Sequence, residues 1–205
     1  MHAKRQTISK SWPIPRKGTK YVIVASHEKK NGIPILIILR DILKLAKNRR
    51  EVKRILQQEM VFVNDKMIKK ENFSVLPFDI LKIGEKNYEL GFSDKGKFKV
   101  KETTRKDRVL KVIGKKILKN KKIQLNLLYG KNILTKEKVN IGDSVVIKDK
   151  KIERVIYLEK GKEAVVLVGK HKGKEGKIDK IEDKIATLCC ENAKINVHVG
   201  SIMVK

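Results

Sequence analysis

The pattern of apolar and polar positions changes period twice along this chain, and each change marks a candidate structural unit. Behind Pro34, apolar residues recur at Ile35, Ile38, Leu39, Ile42 and Leu45 or Ala46. That spacing predicts an amphipathic helix opening at a proline, whose missing N–H costs nothing in a first turn. Asn48 followed by Glu51 has the form of a capping box with Asn as the cap, and it introduces Val52, Ile55 and Leu56 on one face of a second, shorter helix. Opposite that face, Lys47, Arg50, Lys53, Arg54 and Gln57 project together at spacings of three and four, a basic stripe. The period then shortens to two. Val61-Phe62-Val63, the pair Asn64-Asp65, and Met67-Ile68 predict a tight hairpin, and Leu76 to Ile83 predicts a further strand behind Pro77. Asn64 and Asp65 both tolerate positive φ, so the hairpin is expected while its turn type stays open.

From about Asn87 to Leu158 the chain reads as strands and turns. Tyr88 to Phe92 and Phe98 to Val100 flank a turn at Ser93 to Gly96, where glycine supplies a left-handed position. Ile123 to Leu127 alternates, Tyr129 to Asn132 turns, and Ile141 to Ile147 begins another strand behind Gly142-Asp143. A last segment, LVGKHKGKEGKI, places Gly169, Gly173 and Gly176 among basic residues, between Val165 to Val168 and a strand at Ile185 to Leu188. Glycines so placed allow sharp turns and close backbone approach.

Charge changes the picture from fold to partner. Fifty Lys and Arg against 23 Asp and Glu give a formal net charge of +27 over 205 residues. Neutralising phosphates releases condensed counterions, so RNA or DNA is the expected partner. A lipid surface is less suited, because it recruits short polybasic tails or amphipathic helices. At 40% hydrophobic residues the chain folds instead of remaining a basic tail. Its first 20 residues hold six Lys or Arg and no acid. They predict an extended arm, either a frayed, solvated terminus or an arm ordered by RNA with Trp12 stacking on RNA or wedged against the body. Between Arg105 and Lys122 lie nine Lys or Arg and one Asp. This second concentration is either a rim facing phosphate or a solvated edge that discourages strand aggregation.

Other chemistry finds little support. The longest apolar run is too short to span a bilayer, and no apolar h-region follows Met1, so a cytoplasmic address is expected. Cys189 and Cys190 are too few for a disulfide framework or a zinc ribbon. His2, His27, His171 and His198 lack metal-ligand spacing. The segment GKEGK fails the phosphate-loop pattern, and no nucleophile elbow appears. No catalytic residue, metal or cofactor is expected.

The ordered segments IPILIILRDILKLAKNRREVKRIL, VFVNDKMI and LPFDILKI resemble the S-four RNA-binding domain, or αL motif. Pro34, Arg40-Asp41, Glu51-Val52 and the arm with Trp12 resemble, more narrowly, the archaeal and eukaryotic small-subunit ribosomal protein family S-four-e. Gly142-Asp143 and QLNLLYGKNIL resemble that family's central domain, and LVGKHKGKEGKI resembles a KOW motif. Two departures are Asn64-Asp65, where the family commonly has Asp-Gly, and Tyr129, where an Asp is more usual. The resemblance implies an α+β fold: a basic arm at 1–32, a small αL-type RNA-binding domain of two helices on a small sheet at 33–86, a β-rich central domain at 87–158, and an SH3-like KOW β-barrel at 159–205. It implies a structural constituent of the small subunit that holds folded 16S-like rRNA, near its 5′ domain, beside neighbouring ribosomal proteins. Membrane and small-molecule substrates are not expected.

The candidate RNA contacts are Lys4, Arg5, Lys10, Trp12, Arg16 and Lys17 in the arm, and Arg40, Lys47, Arg49, Arg50, Lys53 and Arg54 on the helix pair. Arg105, Lys106 and Arg108 follow in the middle segment, then Lys170, His171, Lys172 and Lys174 in the KOW loop. With aromatic residues at 5%, phosphate recognition is expected over base stacking. The alternatives are a KOW-containing RNA-binding or transcription factor outside the ribosome and, more remotely, a subunit of an RNA-modifying enzyme.

Overall fold

A computed structural model describes residues 2–105, 107–118, 122–148, 151–190 and 193–205. The chain forms two compact units, one of residues 1–93 and 97–106, the other of 94–96 and 107–205. Both are β-rich, and the described helices are short.

In the first unit, β1 (His2–Lys4) pairs with β2 (Tyr21–Ile23), and β3 (Ile33–Pro34) leads into α1 (Ile35–Ile37). A π-helical turn at Ile38–Ile42 follows directly. The nine-residue α2 (Arg49–Gln57) precedes β4 (Val61–Val63), β5 (Lys66–Met67), β6 (Ser74–Val75), β7 (Ile80–Ile83), β8 (Lys86–Phe92) and β9 (Phe98–Glu102). β6 pairs with β3, and the other five strands form an antiparallel sheet in the order β5-β4-β7-β8-β9. The sheet therefore takes in two strands that the sequence assigned to the middle domain. Leu90, Phe92 and Phe98 are buried, and the Phe92 ring sits 6.1 Å from Phe78 and 5.5 Å from Phe98. That aromatic packing carries the sheet past residue 86.

The first helix is shorter than its periodicity suggests. Ile35 through Leu39 are all buried, so this stretch is apolar on every side and not amphipathic. Its leading amides are met by main chain, Ile35 N–H donating to the Phe73 carbonyl at 2.9 Å and Leu36 N–H to Glu71 at 3.1 Å. Leu43 N–H reaches back to Ile38 at 2.9 Å, closing the wide turn, and Lys44 leaves it with φ +54°. The register slips as a result: Ala46 is 4% exposed and Leu45 49% exposed.

Expected strand 76–83 begins later as well. Leu76 to Asp79 form a turn with Pro77 second and Phe78 third at φ +65°, and Asp79 N–H donates to the Leu76 carbonyl at 3.1 Å, as in a type II turn. The buried Asp79 carboxylate accepts from Leu76 N–H at 2.9 Å and from the Asn64 amide at 3.0 Å. Asn64 Oδ1 in turn accepts from Ile80 N–H at 3.1 Å. Asn64 and Asp65 have φ of +48° and +63°, which makes the hairpin turn type I′.

The second unit holds β10 (Arg108–Ile117), β11 (Ile123–Leu127), β12 (Lys131–Thr135), β13 (Ser144–Lys148) and β14 (Lys151–Ile156), ordered β12-β11-β10-β13-β14. Then come β15 (Glu163–Val166), β16 (Glu175–Glu182), β17 (Ile185–Cys190), β18 (Ala193–His198) and β19 (Ile202–Val204), ordered β18-β17-β16-β15-β19. Leu110, Val112, Leu125, Leu127, Val139 and Val145 make one core, while Val166, Ile178, Leu188, Ile202 and Val204 anchor the other. Asn140 to Asp143 repeat the turn of the first unit, with Gly142 at φ +103° in the place of Phe78. The Asp143 carboxylate accepts from Asn140 N–H at 2.9 Å and from Leu158 N–H at 3.0 Å.

Lys111 joins the two sheets of this unit. Its side chain leaves β10, and Nζ donates to the carbonyls of Val199, Gly200 and Ile202 at 2.6, 3.0 and 2.7 Å. The residue is 4% exposed, and burial lowers its pKa from 10.5 to about 8. Because the folded value lies below the unfolded one, the unfolded chain binds more protons between about pH 8 and 10.5. This group's contribution to stability is least favourable below pH 8 and rises across that window. Lys111→Met removes the shared ammonium donor from three carbonyls, of which Val199 keeps its bond from Ile202 N–H, and is expected to cost on the order of 2 kcal/mol at pH 7. In urea titrations, the gap between wild type and variant should widen from pH 8 to 10.5.

Candidate nucleic-acid interface

The basic stripe exists because α2 is capped and buried on one side only. Asn48, at φ −137°, accepts from Glu51 N–H at 3.0 Å, and Glu51 accepts from Lys47 N–H at 2.7 Å and from the Asn48 amide at 2.6 Å. Val52 and Leu56 are buried, which turns Lys47, Arg50, Lys53 and Arg54 outward, all exposed. Two arginines of the predicted set have protein partners. Arg40 pairs with Asp41 at 3.1 and 2.9 Å. Arg49 Nε lies 2.9 and 2.8 Å from the Glu71 carboxylate oxygens and its Nη2 also binds there, tying α2 to the segment that caps α1. That contact holds Glu71 below, and Arg49 above, its ordinary pKa, chiefly through the hydrogen bonds.

The arm departs from expectation. It is folded, and two of its candidate RNA contacts are used internally. Arg5 donates from Nη1 to the Pro15 carbonyl at 2.7 Å, from Nε to the Thr19 carbonyl at 2.8 Å, and from Nη2 to Thr19 Oγ1 at 2.9 Å. The guanidinium thus closes the loop across Gly18, where an added Cβ would lie 3.1 Å from Nη2. Trp12 is 5% exposed, and its indole N–H donates to the Gly32 carbonyl at 3.1 Å. Of the two roles the sequence offered, this structure has the wedge. Phe98 N–H adds a bond to the Ser11 carbonyl at 2.8 Å. A buried indole and three guanidinium bonds work against the entropic cost of fixing this loop. Lys4, Lys10, Arg16 and Lys17 remain exposed.

Between the arm loop and the helical segment lies a cleft of about 1010 Å3, lined by Arg5, Lys17, Arg40, Lys44, Lys47 and Arg49 among others, with Asp41 its acid. Nearby, Arg49, Lys53, Lys69, Lys70 and Glu71 line a smaller cleft of about 410 Å3. The sequence stripe missed Lys44, Lys69 and Lys70, because only the fold brings their segments beside α2.

In the middle segment, Arg105 lies at the end of the first unit and is exposed, and its neighbour Lys106 lies outside the described residues. Arg108 is 5% exposed at the start of β10, opposite Ile147, so its guanidinium is part of the interior and not of a rim. In the KOW loop, Lys170 is exposed while His171, Lys172 and Lys174 are half-buried, and burial lowers the Lys172 pKa. Gly169 and Gly173 take φ of +97° and +88°. At Gly176 a Cβ would lie 2.6 Å from the Cys189 carbonyl, so this position admits only glycine for steric reasons. Among the described residues no group of three or more His, Cys, Asp or Glu could hold a metal ion.

Clustered cations set on two β-rich units define a protein built to meet a polyanion. Comparison with known proteins gives the family. The profile of ribosomal family S4e matches residues 84–153 and that of the KOW motif residues 160–189. Small ribosomal subunit protein eS4 of Methanocella arvoryzae is 34% identical over 189 residues, covering 88% of this chain and 81% of that protein. The eS4 proteins of Methanocaldococcus jannaschii and Nanoarchaeum equitans are 34% and 35% identical over 198 and 191 residues, with 88% of this chain covered in each case and 81% and 82% of theirs. The crystal structure of 30S ribosomal protein S4e from Thermoplasma acidophilum superposes with a TM-score of 0.74 at 27% identity, over 86% of this chain and 95% of that one. The chain belongs to ribosomal family S4e, a family of ribosomal proteins and not of enzymes.

The arm clasp is directly testable. Arg5→Ala removes the bonds that close residues 15–19, and a local destabilisation of about 1 kcal/mol corresponds to roughly fivefold more frequent opening. Limited trypsin digestion followed by mass spectrometry should show cleavage after Arg16 and Lys17 accelerating by about that factor, with α2 unaffected.

Proposed function

We propose that this protein is a structural constituent of the small ribosomal subunit that stabilises folded small-subunit rRNA by contacting phosphates with Lys and Arg, and so supports translation. The observation that carries this reading is α2. One side is buried in the first unit's core, and the other turns Arg50, Lys53 and Arg54 outward beside a cleft lined with further cations. Side chains held at helical spacing on a fixed element match the backbone of a folded RNA by shape and charge, with no base identity required. In this reading the two short helices on the first sheet are an αL-type RNA-binding domain, and the last five strands are an SH3-like KOW barrel. The KOW loop, with Lys170 outermost, adds phosphate contacts. The partners are 16S-like rRNA and neighbouring ribosomal proteins, and the protein resides in the cytoplasm as part of the ribosome.

Arg40, Arg49 and Arg5 act differently from the rest of the basic set: each holds protein atoms, so each shapes the surface that the outward cations present. Sedimentation of a native lysate through sucrose before and after a high-salt wash tests assembly. Stoichiometric co-migration with the small subunit that survives the wash is expected, whereas a substoichiometric, easily stripped protein would point to a soluble RNA-binding or transcription factor. Binding of the purified chain to small-subunit rRNA tests the helix. Arg50→Ala with Arg54→Ala should lower affinity and reduce the slope of log K against log salt by about 0.9 for each phosphate that is no longer neutralised. An unchanged slope would remove α2 from the interface.

A further inference from the structure

We infer that the arm cleft of the first unit is a site for an unpaired nucleotide, with Tyr21 stacking on the base and lysines around it holding the adjoining phosphates. This inference rests on the rRNA reading above and adds to it a second kind of contact, to a base outside a helix.

The arm carries two large aromatic residues, and the fold gives them opposite roles. Trp12 is buried, with its indole N–H answered by Gly32. Tyr21 is 53% exposed although it lies in a strand, where its backbone is fixed by pairing with Lys4. The ring is therefore presented on a rigid element and not on a frayed end, which lowers the entropic cost of stacking against it. Lys20 Nζ stands over the ring, 5.5 Å from its centroid, a cation–π contact that a base stacking on that face displaces, leaving a flexible ammonium beside the ring to meet the adjoining phosphate.

Tyr21 lines the cleft of about 1010 Å3, a volume at the top of the range of about 300–1,000 Å3 typical of small-molecule sites. Of the cleft's cations, Arg5, Arg40 and Arg49 are engaged by Thr19 and Pro15, Asp41 and Glu71. Lys17, Lys44 and Lys47 are exposed, and these are the groups left to meet an anion. A tyrosine face with ammonium groups on its flanks is the combination that recognises single-stranded nucleic acid, in which stacking tolerates any base and charge follows the backbone. A paired nucleotide does not suit it, since its base face is already covered by the neighbouring step. Asp41 disfavours an anion at one place only, and there it is satisfied by Arg40.

The test measures binding of the full chain, by fluorescence anisotropy at fixed salt, to two labelled probes of equal charge: an oligouridylate and an RNA duplex. Tyr21→Leu should weaken oligouridylate binding by about 5- to 100-fold while changing duplex binding less than twofold, and Tyr21→Phe should restore it. Unchanged thermal melting of the variants separates this from a fold defect, as expected for an exposed side chain. If Tyr21→Leu has no selective effect while Arg50→Ala with Arg54→Ala weakens both probes, the cleft is not a base site and the phosphate-binding reading stands. If the wild-type chain binds neither probe, both readings fall.

Discussion

A chain with 50 cationic and 23 acidic side chains must keep its own repulsion from opening it, and that constraint shapes both units. The acids do more than neutralise. Asp79 and Asp143 are buried, Asp79 accepting from Leu76 N–H and the Asn64 side-chain amide and Asp143 from two main-chain N–H groups. Glu51 caps α2, and Glu71 fastens that helix to the segment that caps α1. Asp79, Asp143 and Glu51 answer main-chain donors that short elements leave unpaired, and Glu71 answers a guanidinium, so scarce negative charge sits where it fixes the fold. Lys111 is the converse. Among the described residues it is the one buried lysine, with three carbonyls around its ammonium, and it joins two sheets whose own cores are small.

The two units use one turn for the same purpose. Leu76-Pro77-Phe78-Asp79 and Asn140-Ile141-Gly142-Asp143 both place a left-handed residue before an aspartate, and a strand begins immediately afterwards. In each, the carboxylate accepts from the first residue of its own turn and from a second, distant group. Glycine adopts the left-handed position at no steric cost, whereas Phe78 adopts it at a penalty of about 1–2 kcal/mol that burial of its ring offsets. The aromatic cluster formed with Phe92 and Phe98 is the reason the first sheet runs on into β8 and β9.

The basic residues divide by what they hold. Arg5, Arg40 and Arg49 grip protein acceptors through their planar forks, and Arg108 and Lys111 are interior. Lys47, Arg50, Lys53, Arg54 and Lys170 face outward. Guanidinium groups suit the first task because several donors in fixed geometry can close a loop or lock a carboxylate. The outward cations of α2 thus stand on a helix that Arg49 fastens to the segment carrying Glu71.

Local rules wrote the elements that depend on near neighbours. The capping box at Asn48 and Glu51, the apolar face of α2, the hairpin at Asn64-Asp65 and the glycine turns of the KOW segment were all legible, because each rests on contacts within a few residues. The net charge likewise determined the class of partner. Tertiary contacts decided the rest. The first helix shortened and widened because Ile35 to Leu39 are enclosed on every side, something periodicity cannot report for a continuous apolar run. An indole and a guanidinium in a basic arm suit RNA and protein acceptors equally, and only the positions of Gly32, Pro15 and Thr19 select the internal role for Trp12 and Arg5. In sequence Lys111 is one more cation among nine, and it becomes a buried joint because acceptors almost 90 residues away converge on it.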